Sequence, residues 1–391
     1  MTSLSTTNET AHAAAQAAVE GAVADGAVAG AVAVAQCADG SIVSASAGER
    51  TAASGVAMTD DTVGFLASLT KAITGAAAMQ LVERGVVDLD APAGDLVPEL
   101  AAPEVLEGFD DDGEPVTRAA VGTVTLRNLL THTSGFGYDL WNADLVRHKK
   151  WRAGQSGGGR GSHWDDPLIA DPDTAWAYGT GIDWAGRVVE AASGQRLDAY
   201  FDEHLFGPLG MGLTGFDLDD DKRSRLAAVH ARGDDGLSPL GFEFEQQPEH
   251  FSGGAGLYGT AADYLRFLRA LVNGGELDGQ RILAAETVAD MGRDHLGGIP
   301  IVDLTAAMPH LCHDLELYPG ARKGWGLTFL RVDDDAQGRA AGTLGWAGLA
   351  NCYSWWNPTN GTCGLWFSQL FPFSDPATLR YFEAFEGAIN R

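Results

Sequence analysis

Strand-like runs occupy both ends of the chain, and helical spacing of apolar residues dominates between them. Residues 29–36 are small and β-branched, and residues 41–46 follow across Asp39-Gly40, a dipeptide typical of hairpin turns. Over 68–84 the apolar positions recur at helical spacing, and Gly85 indicates where this helix ends. The first part of the chain is therefore predicted to form a hairpin followed by a helix.

The last part of the chain returns to strands. Runs rich in aromatic and β-branched residues are found at 326–332, 352–356 and 364–370, with a turn predicted at 357–362. A final helix is predicted over 376–389. The intervening region, 88–244, favours helices, for example at 126–130 and 182–192, joined by long loops, and a further helix is predicted at 261–273.

These patterns predict an α/β (α+β) fold in which N- and C-terminal segments build one antiparallel sheet flanked by helices. We expect residues 1–90 and 250–391 to form this α/β domain. Residues 91–249 are expected to form an inserted, mostly helical domain. The cleft between the two is the natural place for an active site.

Charge and composition exclude several classes of function. The formal net charge of −27 would repel a nucleic acid, so we expect no such partner. The four cysteines form no C-x-x-C pair, which argues against a metal cluster or a disulfide framework. The Ala-rich stretch at 13–19 is typical of an amphipathic helix and not of a signal peptide, and the chain has no apolar run of the ~20 residues that span a bilayer. We therefore expect a soluble, cytoplasmic protein.

The first candidate for chemistry is the motif Ser68-Leu69-Thr70-Lys71, which opens the helix predicted over 68–84. Residues three apart on a helix share a face, so the two polar side chains can meet. A serine hydroxyl becomes a nucleophile when a base removes its proton, and a lysine in apolar surroundings can be that base. The ordinary alternative is a helix-capping serine followed by a solvated lysine.

Two later motifs complete a possible site. Tyr178 lies just before the helix at 182–192, and a phenol close to a lysine ammonium can act as a general acid and base. Residues 345–349, Gly-Trp-Ala-Gly-Leu, resemble a strand edge where glycine lets backbone approach a ligand. The amides of Ser68 and Leu349 can then form an oxyanion hole. Each motif also has an ordinary alternative. Taken alone, Tyr178 is better explained as a buried core tyrosine with a satisfied hydroxyl, and residues 345–349 can be a plain strand with a packed tryptophan.

The ordered set of motifs resembles the family VIII carboxylesterases, which are similar to class C β-lactamases and D-Ala-D-Ala carboxypeptidases. The resemblance covers about residues 15–390 and includes the stretches 65–85, 124–135, 206–211 and 253–257. It implies Ser68 as nucleophile, Lys71 as its partner base and Tyr178 as acid and base. Trp346 and Gly348 fall on the third motif of that family.

Two departures from the β-lactamase pattern bear on the substrate. Thr180 stands where Tyr-x-Asn has its asparagine, and Trp346 stands where Lys-Thr-Gly has its lysine. That lysine would attract a substrate carboxylate, whereas tryptophan offers apolar area and one N–H donor. The resemblance therefore implies hydrolysis of small, neutral, short-chain carboxylic esters through an acyl-enzyme on Ser68, without metal or organic cofactor.

Two other residues invite a catalytic interpretation. Ser156 lies in a G-x-S-x-G match, but a Gly-rich loop surrounds it where a nucleophile elbow needs a strand and a helix. His132 lies in a stretch that is structural in the resembling family. Neither is predicted to be catalytic.

Alternatives remain open at the level of sequence. The same site can support β-lactam hydrolysis, amide hydrolysis or acyl transfer to another acceptor. A non-catalytic binding protein would be expected to lack Ser68, Lys71 or Tyr178, and all three are present. The sequence does not determine the physiological substrate, the oligomeric state or the division of proton transfer between Lys71 and Tyr178.

Overall fold

The computed structural model describes residues 8–155, 163–233 and 236–390. Its α-helices are α1 (Glu9–Ala24), α2 (Thr70–Glu83), α3 (Leu126–Thr131), α4 (Ala143–Gln155), α5 (Gly181–Ser193), α6 (Leu197–Phe201), α7 (Gly207–Leu209), α8 (Asp220–Ser224), α9 (Ala261–Val272), α10 (Ala285–Met291) and α11 (Pro376–Ile389). Its strands are β1 (Gly30–Gln36), β2 (Ile42–Gly48), β3 (Val63–Phe65), β4 (Glu104–Phe109), β5 (Pro115–Ala119), β6 (His230–Gly233), β7 (Gly236–Pro239), β8 (Tyr258–Thr260), β9 (Glu276–Leu277), β10 (Gln280–Arg281), β11 (Lys323–Trp325), β12 (Leu330–Val332), β13 (Thr343–Gly348), β14 (Cys352–Asn357), β15 (Thr362–Phe367) and β16 (Leu370–Phe371).

A seven-stranded sheet dominates the fold. Its strand order is β11-β12-β13-β14-β15-β1-β2, and each neighbouring pair is antiparallel. The N-terminal hairpin β1–β2 therefore pairs with β15 from the C-terminal part, with Val34 opposite Leu365. This confirms the predicted sheet built from both ends of the chain.

Both faces of the sheet are covered by helices, which explains why β1 is buried along its whole length. Val32 and Val34 face the core that contains residues of α2 and α9. Ala31 and Ala33, on the opposite face, pack in the core formed with α1 and α11. Successive side chains of a strand point to opposite faces, so the larger valines serve one core and the alanines let helices approach the other.

One predicted strand is wrong. Residues 326–332 do not form a single strand, because 326–329 make a tight turn between β11 and β12. The amide of Gly326 donates to the carbonyl of Phe329 (2.8 Å), and Thr328 has a left-handed φ of 82°. The amide of Thr328 also donates to the carbonyl of Leu130 in α3 (3.1 Å). This tertiary contact outweighs the β propensity of the local sequence.

The predicted strand at 364–370 is also divided. β15 ends at Phe367, and the separate strand β16 leaves the large sheet and pairs in parallel with β6. Residues 91–249 contain α3 to α8, but they also contain the hairpins β4–β5 and β6–β7, which the sequence patterns did not indicate. In the described part of the chain, no helix is long and apolar enough to cross a membrane.

Candidate active site

Ser68 is placed by a sharp change from strand to helix. β3 pairs with β8, and the amide of Leu66 continues this contact by donating to the carbonyl of Leu257 (2.9 Å). Ala67 then adopts a left-handed φ of 47°, an unfavourable conformation for a residue with a Cβ. Residues Ala67–Leu69 form a 3₁₀ turn that leads into α2. Ser68 keeps part of its surface exposed between buried neighbours, as a nucleophile requires.

Lys71 lies in the first turn of α2 and is fully buried. Its Nζ donates to Ser68 Oγ (3.0 Å), to the hydroxyl of Tyr138 (3.0 Å) and to the carbonyl of Gly254 (2.7 Å). Burial lowers the pKa of the Lys71 amine to about 8, and the carboxylate of Asp183 opposes this shift. A lysine with this pKa can give up its proton close to neutral pH.

Tyr178 lies just before α5 and is also buried, with 5% of its surface exposed. Its hydroxyl oxygen accepts a hydrogen bond from the indole Nε1 of Trp346 (2.7 Å) and shares a further hydrogen bond with Ser68. Burial raises the pKa of the phenol above its ordinary value, while these two hydrogen bonds lower it. The Lys71 nitrogen lies 5.1 Å from the centre of the Tyr178 ring.

The strand β13 brings the third motif to the nucleophile. Gly348 at its end lies so close to the segment before Ser68 that a Cβ would be 2.3 Å from the carbonyl oxygen of Leu66. Only glycine fits this approach, which positions the following residue, Leu349, beside the start of α2. Trp346, on the same strand, is partly exposed, and its indole N–H is donated to the hydroxyl of Tyr178.

Two residues of this site, Tyr138 and Asp183, were not predicted from the sequence. The Tyr138 hydroxyl accepts from Lys71 and donates to Asp183 Oδ2 (3.3 Å). Asp183 lies in the first turn of α5 and is 2% exposed. A signal for Asp183 exists in the sequence, because it is an acid between the apolar residues Ile182 and Trp184 of a predicted helix.

His132 holds the backbone next to Tyr178 in place. It ends α3 with a left-handed φ of 58°, and its Nδ1 accepts from the amide of Gly179 (3.3 Å). Burial, together with the nearby Lys71, lowers its pKa well below the ordinary value, so the imidazole stays neutral. His132 therefore fixes the turn that carries Tyr178, which agrees with its expected structural role.

Aromatic side chains surround Tyr178, the hydrogen-bond partner of Ser68. The rings of Trp346, Trp141 and Tyr138 lie 4.8, 5.5 and 5.5 Å from that of Tyr178, measured between centroids. The segment that carries Trp141 contacts a second loop, since the amide of Ala307 donates to the carbonyl of Leu140 (2.8 Å). The two loops are therefore held together beside Tyr178.

The structure brings Ser68, Lys71, Tyr178 and Trp346 into one cluster, with Gly348 and Leu349 beside it. Ser156 lies outside the described residues. Within the described ranges, no group of three His, Cys, Asp or Glu side chains is arranged to hold a metal ion. The four cysteines are buried free thiols.

Known proteins are similar to this chain over most of its length. The Beta-lactamase family model matches residues 15–388. Monacolin J acid methylbutanoyltransferase from Aspergillus terreus is 34% identical over 344 residues, which cover 84% of this chain and 82% of that protein. Lovastatin esterase from Penicillium rubens is 33% identical over 342 residues, covering 83% and 84%.

A solved structure shares the fold over nearly its whole length. Simvastatin synthase (LovD) from Aspergillus terreus, in its unliganded form, superposes with a TM-score of 0.81 at 31% identity, and the match covers 97% of this chain and 98% of the other. The family match, the common fold and the similarity to both an acyltransferase and an esterase lead to one conclusion. The chain belongs to the Beta-lactamase family and is an enzyme of its serine hydrolase and acyltransferase group.

Proposed function

We propose that this protein is a carboxylesterase that cleaves small, neutral esters with short acyl groups through an acyl-enzyme on Ser68. One observation supports this most strongly. The nitrogen of Lys71, an amine with a pKa of about 8, lies 3.0 Å from Ser68 Oγ. A base with a pKa near the working pH, within hydrogen-bond reach of a hydroxyl, is what nucleophilic catalysis by serine needs.

In the proposed acylation, neutral Lys71 takes the proton of Ser68 while Oγ attacks the ester carbonyl. The phenol of Tyr178 stays protonated at neutral pH because burial raises its pKa. Tyr178 therefore donates its proton to the departing alcohol oxygen, and the resulting phenolate is stabilised by the Lys71 ammonium, whose nitrogen lies 5.1 Å from the ring centre. Water then attacks the acyl-enzyme. In this deacylation the phenolate takes a proton from the attacking water, and the Lys71 ammonium returns its proton to Ser68 Oγ as the acid leaves.

The oxyanion of the tetrahedral intermediate is proposed to bind the backbone amides of Ser68 and Leu349. The support is the close approach of β13 to the segment before Ser68. At Gly348 the two backbones are so close that a side chain would clash with the carbonyl oxygen of Leu66. Two fixed amides aimed at one oxygen are the usual donors in acyl transfer.

The preference for neutral esters rests on Trp346. The indole N–H is donated to Tyr178 at 2.7 Å, so it is not available to bind a substrate carboxylate. The aromatic rings of Trp346, Trp141 and Tyr138 surround Tyr178 and offer apolar surface to a neutral acyl group. A β-lactam or a D-Ala-terminated peptide would leave its carboxylate without a cationic partner at this position.

A second candidate function is transfer of the acyl group to an alcohol instead of water. It is favoured by the similarity to monacolin J acid methylbutanoyltransferase, which is as close in sequence as the similarity to lovastatin esterase. Both reactions share the acyl-enzyme and differ in the acceptor. The competition between water and alcohol therefore decides between them.

The test is hydrolysis of p-nitrophenyl esters across acyl chain lengths, with Ser68→Ala as the matched control. We expect turnover to be fastest for acetyl to butanoyl chains and to be lost in the variant, since Ser68 carries the acyl group in the proposed mechanism. Turnover by Ser68→Ala at a rate near that of the wild type would refute the assignment of Ser68.

The acceptor is tested in the same assay by adding alcohols of increasing size and measuring the free acid and the new ester. An esterase forms mostly acid even with the alcohol in excess. Formation of mostly new ester at millimolar alcohol would favour the acyltransferase. Turnover of a chromogenic β-lactam faster than that of every ester would contradict the proposed substrate class.

A further inference from the structure

Asp183 is a buried charge that the proposed reaction does not use. Its carboxylate accepts hydrogen bonds from the hydroxyl of Ser252, the amide of Gly254 (3.1 Å) and the hydroxyl of Tyr138 (3.3 Å). Its position in the first turn of α5 places the negative charge at the positive end of the helix dipole. Burying a carboxylate is costly, so this degree of support indicates that the charge matters at this place.

Two of the three groups that bind the Lys71 ammonium are themselves held by Asp183. An ammonium has three N–H donors, and those of Lys71 go to Ser68, Tyr138 and Gly254. Tyr138 donates its own hydroxyl to Asp183, and Gly254 donates its amide to the same carboxylate. Asp183 therefore acts on Lys71 through two independent links without contacting it directly.

The backbone at Gly254 is adapted to the carboxylate. A Cβ at this position would lie 2.3 Å from Asp183 Oδ2 and 2.8 Å from its carboxyl carbon. The preceding Gly253 is held as well, because its carbonyl accepts from the hydroxyl of Thr74 in α2 (2.6 Å). The absence of side chains at 253 and 254 lets the carboxylate, the Gly254 carbonyl and the lysine pack within one small space.

We propose that Asp183 is the positioning residue of the nucleophile's base: its carboxylate fixes Tyr138 and Gly254, which bind two N–H groups of Lys71, so that the remaining position on the nitrogen faces Ser68 Oγ. That position is a lone pair when the amine is neutral and an N–H when it is charged. The same charge stabilises the ammonium that forms when Lys71 takes the serine proton. This inference rests on the proposed role of Lys71 as base, and it adds a residue that is neither nucleophile nor acid.

Other titratable groups surround this pair and must be separated from it. They are Tyr138, Tyr178, His132, His163 and Asp139. A separate control variant is needed for His163, because its Nε2 lies 3.7 Å from Asp183 Oδ1. One turn further along α5, Arg187 is already paired with Glu190 (3.4 Å).

The test measures the rate at which a fluorophosphonate labels Ser68 as a function of pH, in wild type and in Asp183→Asn. Labelling reports the nucleophilicity of Ser68 without requiring its natural substrate. Loss of the carboxylate destabilises the Lys71 ammonium, so the lysine loses its proton at lower pH. We expect the acid limb of the profile to shift to lower pH by roughly one unit or more, and the plateau rate to fall because Lys71 is no longer held in place.

Matched variants separate charge from structure. Ser252→Ala removes a neutral hydrogen bond to the same carboxylate, and His163→Gln removes the neighbouring imidazole; neither should move the acid limb. Should Asp183→Asn fail to fold, Gly254→Ala displaces the carboxylate and should shift the limb in the same direction by a smaller amount. An unshifted limb in the folded variant, or an equal shift in His163→Gln, overturns the inference. Failure of the wild type to be labelled would instead reject the proposed function itself.

Discussion

Two buried pairs of opposite charge in the described chain are built in different ways. Arg339 and Glu386 contact each other directly through two hydrogen bonds of 2.8 and 3.2 Å, with side chains that are 4% and 1% exposed. Lys71 and Asp183 are buried to a similar degree but are linked through Tyr138 and Gly254. The first pair joins the loop before β13 to α11, whereas the second contacts the nucleophile Ser68 through Lys71.

The difference shows that a buried cation keeps its charge when a counter-charge contacts it directly, and loses its proton more easily when the counter-charge is more distant. Burial disfavours the charge of Arg339, but the attraction of Glu386, together with Tyr318 and Glu383, outweighs it and the pKa of Arg339 lies above the ordinary value. For Glu386 itself burial outweighs the attraction of Arg339, and its pKa is raised. For Lys71, burial dominates over the more distant Asp183, and the pKa falls to about 8. Direct contact therefore suits a structural pair, and an indirect link suits a base that must gain and lose a proton.

The largest effect that this comparison predicts is on catalysis by Lys71→Met. The variant removes the base but keeps an unbranched side chain of similar length. We expect kcat/KM for a p-nitrophenyl ester to fall by at least about 10⁴-fold. The free energy of unfolding should change by less than about 2 kcal/mol, because the lost hydrogen bonds are offset by the removed cost of burying a cation. Ester kinetics and urea unfolding measure the two effects.

Lys222→Met is the matched control for that experiment. Lys222 lies on the surface in α8, where its ammonium donates to the carbonyl of Asp217 (3.1 Å). We expect its ester kinetics to match those of the wild type. Retention of more than about one hundredth of the wild-type rate by Lys71→Met would argue that Tyr178, not Lys71, is the principal base.

The second prediction concerns the direct pair. Glu386→Gln leaves the buried Arg339 guanidinium without its counter-charge, so we expect it to destabilise the fold by about 3–5 kcal/mol. Ester turnover by the fraction that remains folded should be close to wild type. The cation–π contact of Arg339 with Tyr318, at 4.8 Å, does not replace the lost carboxylate.

Glu383→Gln, one turn earlier on α11, is the control for charge loss alone. Glu383 is half-buried and makes no direct ion pair with Arg339, so its replacement should cost under about 1 kcal/mol. Equal destabilisation by both variants in urea unfolding would show that the helix charge matters and the direct contact does not.

The sequence was sufficient for the parts of the molecule that local patterns encode. The hairpin β1–β2, the helix after Ser68 and the final helix α11 follow from period-two and helical spacing and from turn residues. The resemblance brought Ser68, Lys71 and Tyr178 together, and the structure places their side chains in contact. The division into two domains stays a prediction.

What the sequence did not reveal depends on contacts between distant segments. Tyr138 binds Lys71 although it lies 67 residues further along the chain. Asp183 acts on Lys71 through Tyr138 and Gly254. No local spacing in the sequence relates these residues. The turn at 326–329 is likewise imposed by α3, through the hydrogen bond from Thr328 to Leu130. In both cases a tertiary contact, and not local propensity, decides the outcome.

The smallest predicted effect concerns Trp346, which stands where the β-lactamase pattern has lysine. Trp346→Phe keeps the ring but removes the N–H that is donated to the Tyr178 oxygen. The hydrogen bond lowers the pKa of Tyr178 and so eases loss of its proton to the leaving group. Its loss should reduce kcat by about 10-fold, equivalent to one hydrogen bond of ~1.4 kcal/mol, with little change in KM.

Trp346→Lys distinguishes the donor from the ring. A lysine at 346 restores a donor to Tyr178 and adds a positive charge, so we expect it to retain more ester turnover than Trp346→Phe. It should also improve kcat/KM for esters that carry a carboxylate, because the substrate anion gains a cationic partner. If the lysine variant loses more ester turnover than the phenylalanine variant, the indole acts by packing against the acyl group, and its hydrogen bond to Tyr178 is secondary.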